Sequence, residues 1–172
     1  LTRSADPQLL ADDLCELLHN QDSTASEREL AVLLHEGKPA VDDALRQVSQ
    51  RGLLGRLCSA KQLSADGVLL QALVDSVQSP QGRFLLCNEL CQRADLSAQE
   101  SIERIILSTP SDLPELFDLL IRSGNYERLI DLLTKNNRGD SPALRALAGA
   151  RPSYGMAQLN QATTHRLLSE KE

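Results

Sequence analysis

The sequence predicts an all-α fold, on three observations. Leucine fills 34 of the 172 positions, against six valines and five isoleucines. Unbranched Leu loses little rotamer freedom on a helix, whereas β-branched side chains suit a pleated sheet. Residues that start and stop helices recur along the chain, bounding segments of about two to four turns. Finally, no stretch alternates apolar and polar residues for long enough to make a half-buried strand.

Asp6-Pro7 supplies an N-cap and a first-turn proline, whose missing N–H has no intrahelical bond to lose. Leu9, Leu10, Leu14, Leu17 and Leu18 follow at helical spacing, which predicts a helix over about 7–19. Asn20-Gln21-Asp22-Ser23 stops it. Thr24 with Glu27, and Ser26 with Glu29, are capping-box pairs for a second helix that carries Leu30, Leu33 and Leu34 and ends at Gly37. Pro39 opens a third through Val41, Leu45 and Val48, closing before Gly52. Residues 53–62 give a shorter helix, weakened by Gly52 and Gly55. Ser64 is placed to cap the apolar stretch Val68, Leu69, Leu70, Leu73, Val74 and Val77. Ser79-Pro80 restarts the chain ahead of Phe84, Leu85, Leu86 and Leu90. Ser97 with Glu100 forms a capping box before Ile102, Ile105 and Ile106, and Asp112 with Glu115 caps a helix over Leu113–Arg122. Ser123-Gly124-Asn125 breaks that helix, and Tyr126, Leu129, Ile130, Leu132 and Leu133 make the next. Ser141-Pro142 begins a short helix, 149–155 reads as loop, and a last helix is expected over about 156–168.

Ten or so short helices result, with links short enough to fold consecutive helices into antiparallel hairpins. Asp6-Pro7, Lys38-Pro39, Ser79-Pro80 and the Thr109–Pro114 segment open Leu-rich helices at intervals of roughly 30–40 residues, a period that resembles HEAT and armadillo repeats. An irregular superhelix of stacked hairpins and a helical bundle both satisfy this pattern. The N-terminal stretch Leu1–Asp6 has neither an initiator Met nor an apolar signal core, so residues 1–172 are read as one α-helical domain of a larger protein.

Composition excludes several classes. No run of 18 apolar residues is present to span a bilayer. Four cysteines are too few for a disulfide scaffold and read as reduced, buried thiols, which places the protein in the cytoplasm or another intracellular compartment. A net charge of −6, from 18 basic and 24 acidic residues, opposes general nucleic-acid binding.

Side chains that could carry chemistry have simpler structural readings. Cys87 and Cys91 stand four apart, on one helix face, and with His19 or His35 could ligate zinc. No second cysteine pair accompanies them, and in a Leu-rich helix they pack as small apolar groups. His19 and His35 fall in the last turns of expected helices, where imidazole complements the helix dipole; His165 lies in the last expected helix. Gly52-Leu53-Leu54-Gly55-Arg56 lacks the pattern of a phosphate loop. No cofactor, metal or catalytic set is therefore expected, and the chain is read as non-enzymatic. Arg138-Gly139-Asp140-Ser141-Pro142 is similar to the integrin-binding loop of fibronectin-type adhesion proteins, but Asp and Ser before Pro are also ordinary capping chemistry.

Three binding roles remain. Stacked Leu-rich hairpins leave grooves suited to a partner peptide or amphipathic helix, so the leading expectation is an adaptor or scaffold module for protein–protein interaction. The segment Leu113–Leu133 resembles the closing helices of death-fold modules, caspase-recruitment and death-effector domains, which implies homotypic assembly. Arg46, Arg51, Arg56 and Lys61, with no acid between Asp43 and Asp66, form a basic segment that could face a protein partner, an anionic lipid or RNA. At intervals of five they are about 140° apart on a helix, so no single stripe is implied.

Overall fold

A computed structural model describes residues 6–16, 18, 24–59, 68–93, 95–135 and 141–149. Within them the chain forms ten helices and no strand, the all-α architecture that the leucine pattern predicts. They are α1 (Pro7–Glu16), α2 (Thr24–Glu36), α3 (Lys38–Gln50), α4 (Leu54–Cys58), α5 (Val68–Ser76), α6 (Pro80–Arg93), α7 (Leu96–Leu107), α8 (Leu113–Arg122), α9 (Tyr126–Lys135) and α10 (Pro142–Gly149).

Local chemistry sets the boundaries. Asp6 accepts a hydrogen bond from the Gln8 amide at 2.9 Å and starts α1. A single residue, Gly37, separates α2 from α3, because Pro39 has no N–H to offer the His35 carbonyl and the ladder lapses there. After α3 the Gly52 amide bonds to Ser49 at 2.9 Å and the Leu53 amide to Val48 at 3.1 Å, a Schellman closure. That closure requires the positive φ of 69° that Gly52 adopts; Gly124, after α8, also has a positive φ, 76°, and its amide bonds to the Ile121 carbonyl at 3.0 Å. The expected 53–62 helix is shorter, stopping at Cys58. Capping differs from expectation at two places. α7 is capped by Asp95, whose carboxylate accepts from the Ala98 amide at 2.8 Å, so the helix begins before Ser97, and Ser97 is buried within its first turn. Asp112 precedes α8 with no side-chain bond to the helix backbone, and its carboxylate stands 3.8 Å from the largely buried Arg83 guanidinium. Ser64, the 138–140 tripeptide, His19, His165 and the expected helix over 156–168 lie outside the described residues.

One core cluster draws side chains from every helix, including Leu14, Leu34, Leu45, Leu57, Leu73, Leu90, Ile105, Phe117, Leu133 and Leu147. Its packing departs from stacked hairpins. The broadest interfaces join α2 to α5 and α1 to α3, and α6 lies against α3, α4, α7, α8 and α9. Contacts such as α2 on α5 and α10 on α7 join helices three apart in the chain, so no two-helix repeat is shown, and α6 meets helices that precede it and helices that follow it. Hairpin pairing fails where a link is too short to fold back: with one residue between them, α2 and α3 cannot double over, and each finds its main partner elsewhere.

Polar contacts fix the bundle at helix ends. Asp42 of α3 accepts from the Gln78 amide at 3.1 Å, the Ser79 amide at 3.1 Å and the Ser79 hydroxyl at 2.7 Å. Ser79 in turn accepts from the Gly82 amide at 3.0 Å and caps α6. Arg93 donates to the Cys58 carbonyl at 2.9 Å and to Asp95 at 2.8 Å, tying the end of α4 to the start of α7.

Candidate functional site: a groove between α5 and α7

α5 is strongly apolar and turns Leu69 and Leu73 fully into the core, while Leu70 and Val74 face α7. α7 anchors itself through Ala98, Ile102, Ile105 and Ile106. Its flank toward α5 carries Ser97, Ser101, Arg104 and Ser108, spaced i, i+4, i+7, i+11 along one side. Three of these four side chains are too short to fill the seam between two helices, and a groove of about 600 Å³ is left open. Leu70, Val74 and Leu107 give it an apolar lining; Gln71, Glu100 and Glu103 stand among its polar edges.

Charge is distributed unevenly around it. Arg104 reaches toward α5, its Nη1 lying 3.6 Å from Asp75 Oδ1, and both side chains are about half exposed, 50% and 51%. Glu103 accepts from the Ser141 hydroxyl at 3.0 Å, which positions it between α7 and the start of α10. The outer face of α7 reads Leu96, Glu100, Glu103, Leu107 at i, i+4, i+7 and i+11, with Leu96 59% and Leu107 48% exposed. Sequence reasoning passed over this face because it looks for apolar stripes that enter a core, and these two leucines do not. The signal that marks it is a leucine at each end of a helix with two glutamates between them on the same side.

The residues singled out from sequence lie elsewhere. Arg46 on α3 is half exposed and pairs with Asp43 at 2.8 Å. Arg51 ends α3 and donates to Asp12 of α1 at 2.7 Å, which raises its pKa further. Arg56 is exposed on α4, and Lys61 lies outside the described residues. None of the four lines the groove. Cys15, Cys58, Cys87 and Cys91 are free and buried. Burial, with a smaller contribution from Glu89, pushes the Cys58 thiol up to about 12; burial likewise pushes Cys91 up to about 12 and Cys87 well above its ordinary value. The sulfurs of Cys58, Cys87 and Cys91 stay protonated at neutral pH and behave as apolar packing groups rather than nucleophiles. Among the described residues no group of three or more His, Cys, Asp and Glu is placed to hold a metal ion, and no helix is long and apolar enough to cross a membrane.

Comparison with protein families, curated proteins and solved structures finds no match.

Proposed function

We propose that the chain is a non-enzymatic protein-interaction module, an adaptor or scaffold that holds a segment of a partner protein in the α5–α7 groove. The observation that supports this reading most is the groove itself, open along two helices, with apolar walls and polar edges. Helix-in-groove recognition needs that combination, since apolar anchors supply affinity and flanking charges set orientation. A groove of about 600 Å³ accommodates a few side chains of an incoming helix. An anionic lipid or RNA adaptor is favoured less: Arg46 and Arg51 already face Asp43 and Asp12, which offset the positive field those cations would present.

Selection of binders from a displayed library of helical peptides tests the reading. Peptides that bind the protein should weaken at least tenfold against Ser101→Trp, which fills the seam while leaving the core positions of α7 untouched. Binders unaffected by Ser101→Trp would move the interaction to another surface.

A further inference from the structure

We infer that Asp112 is the moving part of a two-state latch at the start of α8. In the observed state its carboxylate is turned toward Arg83 of α6; in the other it caps α8. The latch lies at the α7–α8 corner and is independent of what the groove binds. Asp95, at the same position ahead of α7, has the capped arrangement. Its backbone is extended, with φ −92° and ψ 166°, and its carboxylate accepts from the Ala98 amide at 2.8 Å. Asp112 has nearly the same φ, −99°, but a ψ of 4°, and its side chain makes no bond to the helix. One backbone rotation therefore separates the two arrangements. Pro114 stands at the second helical position and has no N–H, so Glu115 offers the one amide that an Asp112 cap would reach.

Arg83 supplies the competing pull. Its side chain is 13% exposed, its Nη1 is buried with no hydrogen-bond partner, and the Asp112 carboxylate, at 3.8 Å, falls short of a bond. Asp42, whose charge also reaches Arg83, is already held by three donors. Cys87 faces the guanidinium as a protonated thiol. Asp112 is thus the carboxylate left to serve both an open helix start and an unmet guanidinium. A cap is worth about fivefold in an equilibrium, and an ion pair of this length about as much or less, so neither arrangement overwhelms the other. The flanks confine the motion. Ser108 and Thr109 both donate to the Ile105 carbonyl and fix the end of α7, while Leu113 is buried in the core. Between them, Pro110 and Ser111 are exposed and Asp112 is partly so.

The test reads the Glu115 amide of the full chain by NMR. Asp112→Asn keeps a good cap residue but has no charge to offer Arg83, so hydrogen exchange at Glu115 should slow about fivefold. Arg83→Met should slow it by a similar factor, because the competing pull is gone. Asp112→Ala alone should change the rate less than about twofold, yet in the Arg83→Met background it should undo the whole gain. Relaxation dispersion should show μs–ms exchange at the amides of 111–113 and 115 in the parent and none in Asp112→Asn. Circular dichroism checks that each variant keeps its helices; should Arg83→Met unfold, Asp112→Asn and the dispersion measurement decide alone. An unchanged Glu115 rate in Asp112→Asn, or a parent corner without exchange, would overturn the latch. So would equal effects of Asp112→Ala with and without Arg83.

Discussion

At Gly82 the absence of a side chain is a structural requirement. A Cβ built there would collide with Asp42 Oδ1 and come within 3.0 Å of Val77 Cγ1. The Asp42 carboxylate is held by three donors and cannot step aside. Gly82→Ala should therefore cost about 1–3 kcal/mol, read as a lower urea midpoint, despite the better helix propensity of alanine. Asp95 shows how a single carboxylate can be tuned. Burial opposes its ionisation, but the hydrogen bonds from Arg93 and from the Ala98 amide outweigh burial and hold its pKa below the ordinary value. The fold thus favours the ionised form: its contribution is complete above the unfolded pKa of about 3.9 and is lost as pH falls through the lower folded value. Asp95→Ala should cost roughly 1 kcal/mol at neutral pH, the usual cost of losing a cap, and should show a shallower loss of stability in acid. The cap at this helix was misplaced in sequence because Ser97 with Glu100 fits the capping-box spacing, while Asp95 caps through the Ala98 amide and has no Glu or Gln at that third position to complete a box.

Helix limits were legible at the scale of the element, because proline, glycine and short polar residues act locally. Ser79-Pro80 and Ser141-Pro142 start α6 and α10 where expected, and Gly52 and Gly124 stop α3 and α8. What spacing could not show is which helices touch. The link from α3 to the α5–α6 turn depends on Asp42 meeting residues 36 and 37 positions later, a relation absent from any local pattern. Asp42→Ala should strand the Gln78 and Ser79 amides and the Ser79 hydroxyl, at a cost of about 2–3 kcal/mol in denaturant unfolding. A double-mutant cycle with Ser79→Ala should show losses smaller than the sum of the single changes, since both remove the same bond. The groove was equally hidden: serines at 97, 101 and 108 look like ordinary surface residues until α5 is laid beside them.

For the whole molecule, three buried thiols tie stability to alkaline pH. Cys58 and Cys91 titrate near 12 in the fold, and Cys87 is pushed up as well, against about 8.5 in an unfolded chain. A folded pKa above the unfolded one gives stability that is complete below about 8.5 and drains away as pH rises toward the folded value, by at most about 1.4 kcal/mol per pH unit for each thiol. Denaturant midpoints should fall from pH 8.5 to 10.5, and the pH slope should be shallower in Cys91→Ala than in the parent protein. Identical slopes would mean that Cys91 already ionises in the fold.

The position of α6 has a consequence for how this chain can vary. A helix in touch with α3, α4, α7, α8 and α9 gives the helices before residue 80 and those after residue 93 a shared interior. Exchange of either flank with an unrelated protein would strip half of α6 of its neighbours, so recombination and fragment complementation should both fail at breakpoints within 80–93. Substitutions that survive on its inward face should come in matched sets drawn from both flanks, and lineages would inherit the two sides together or lose both.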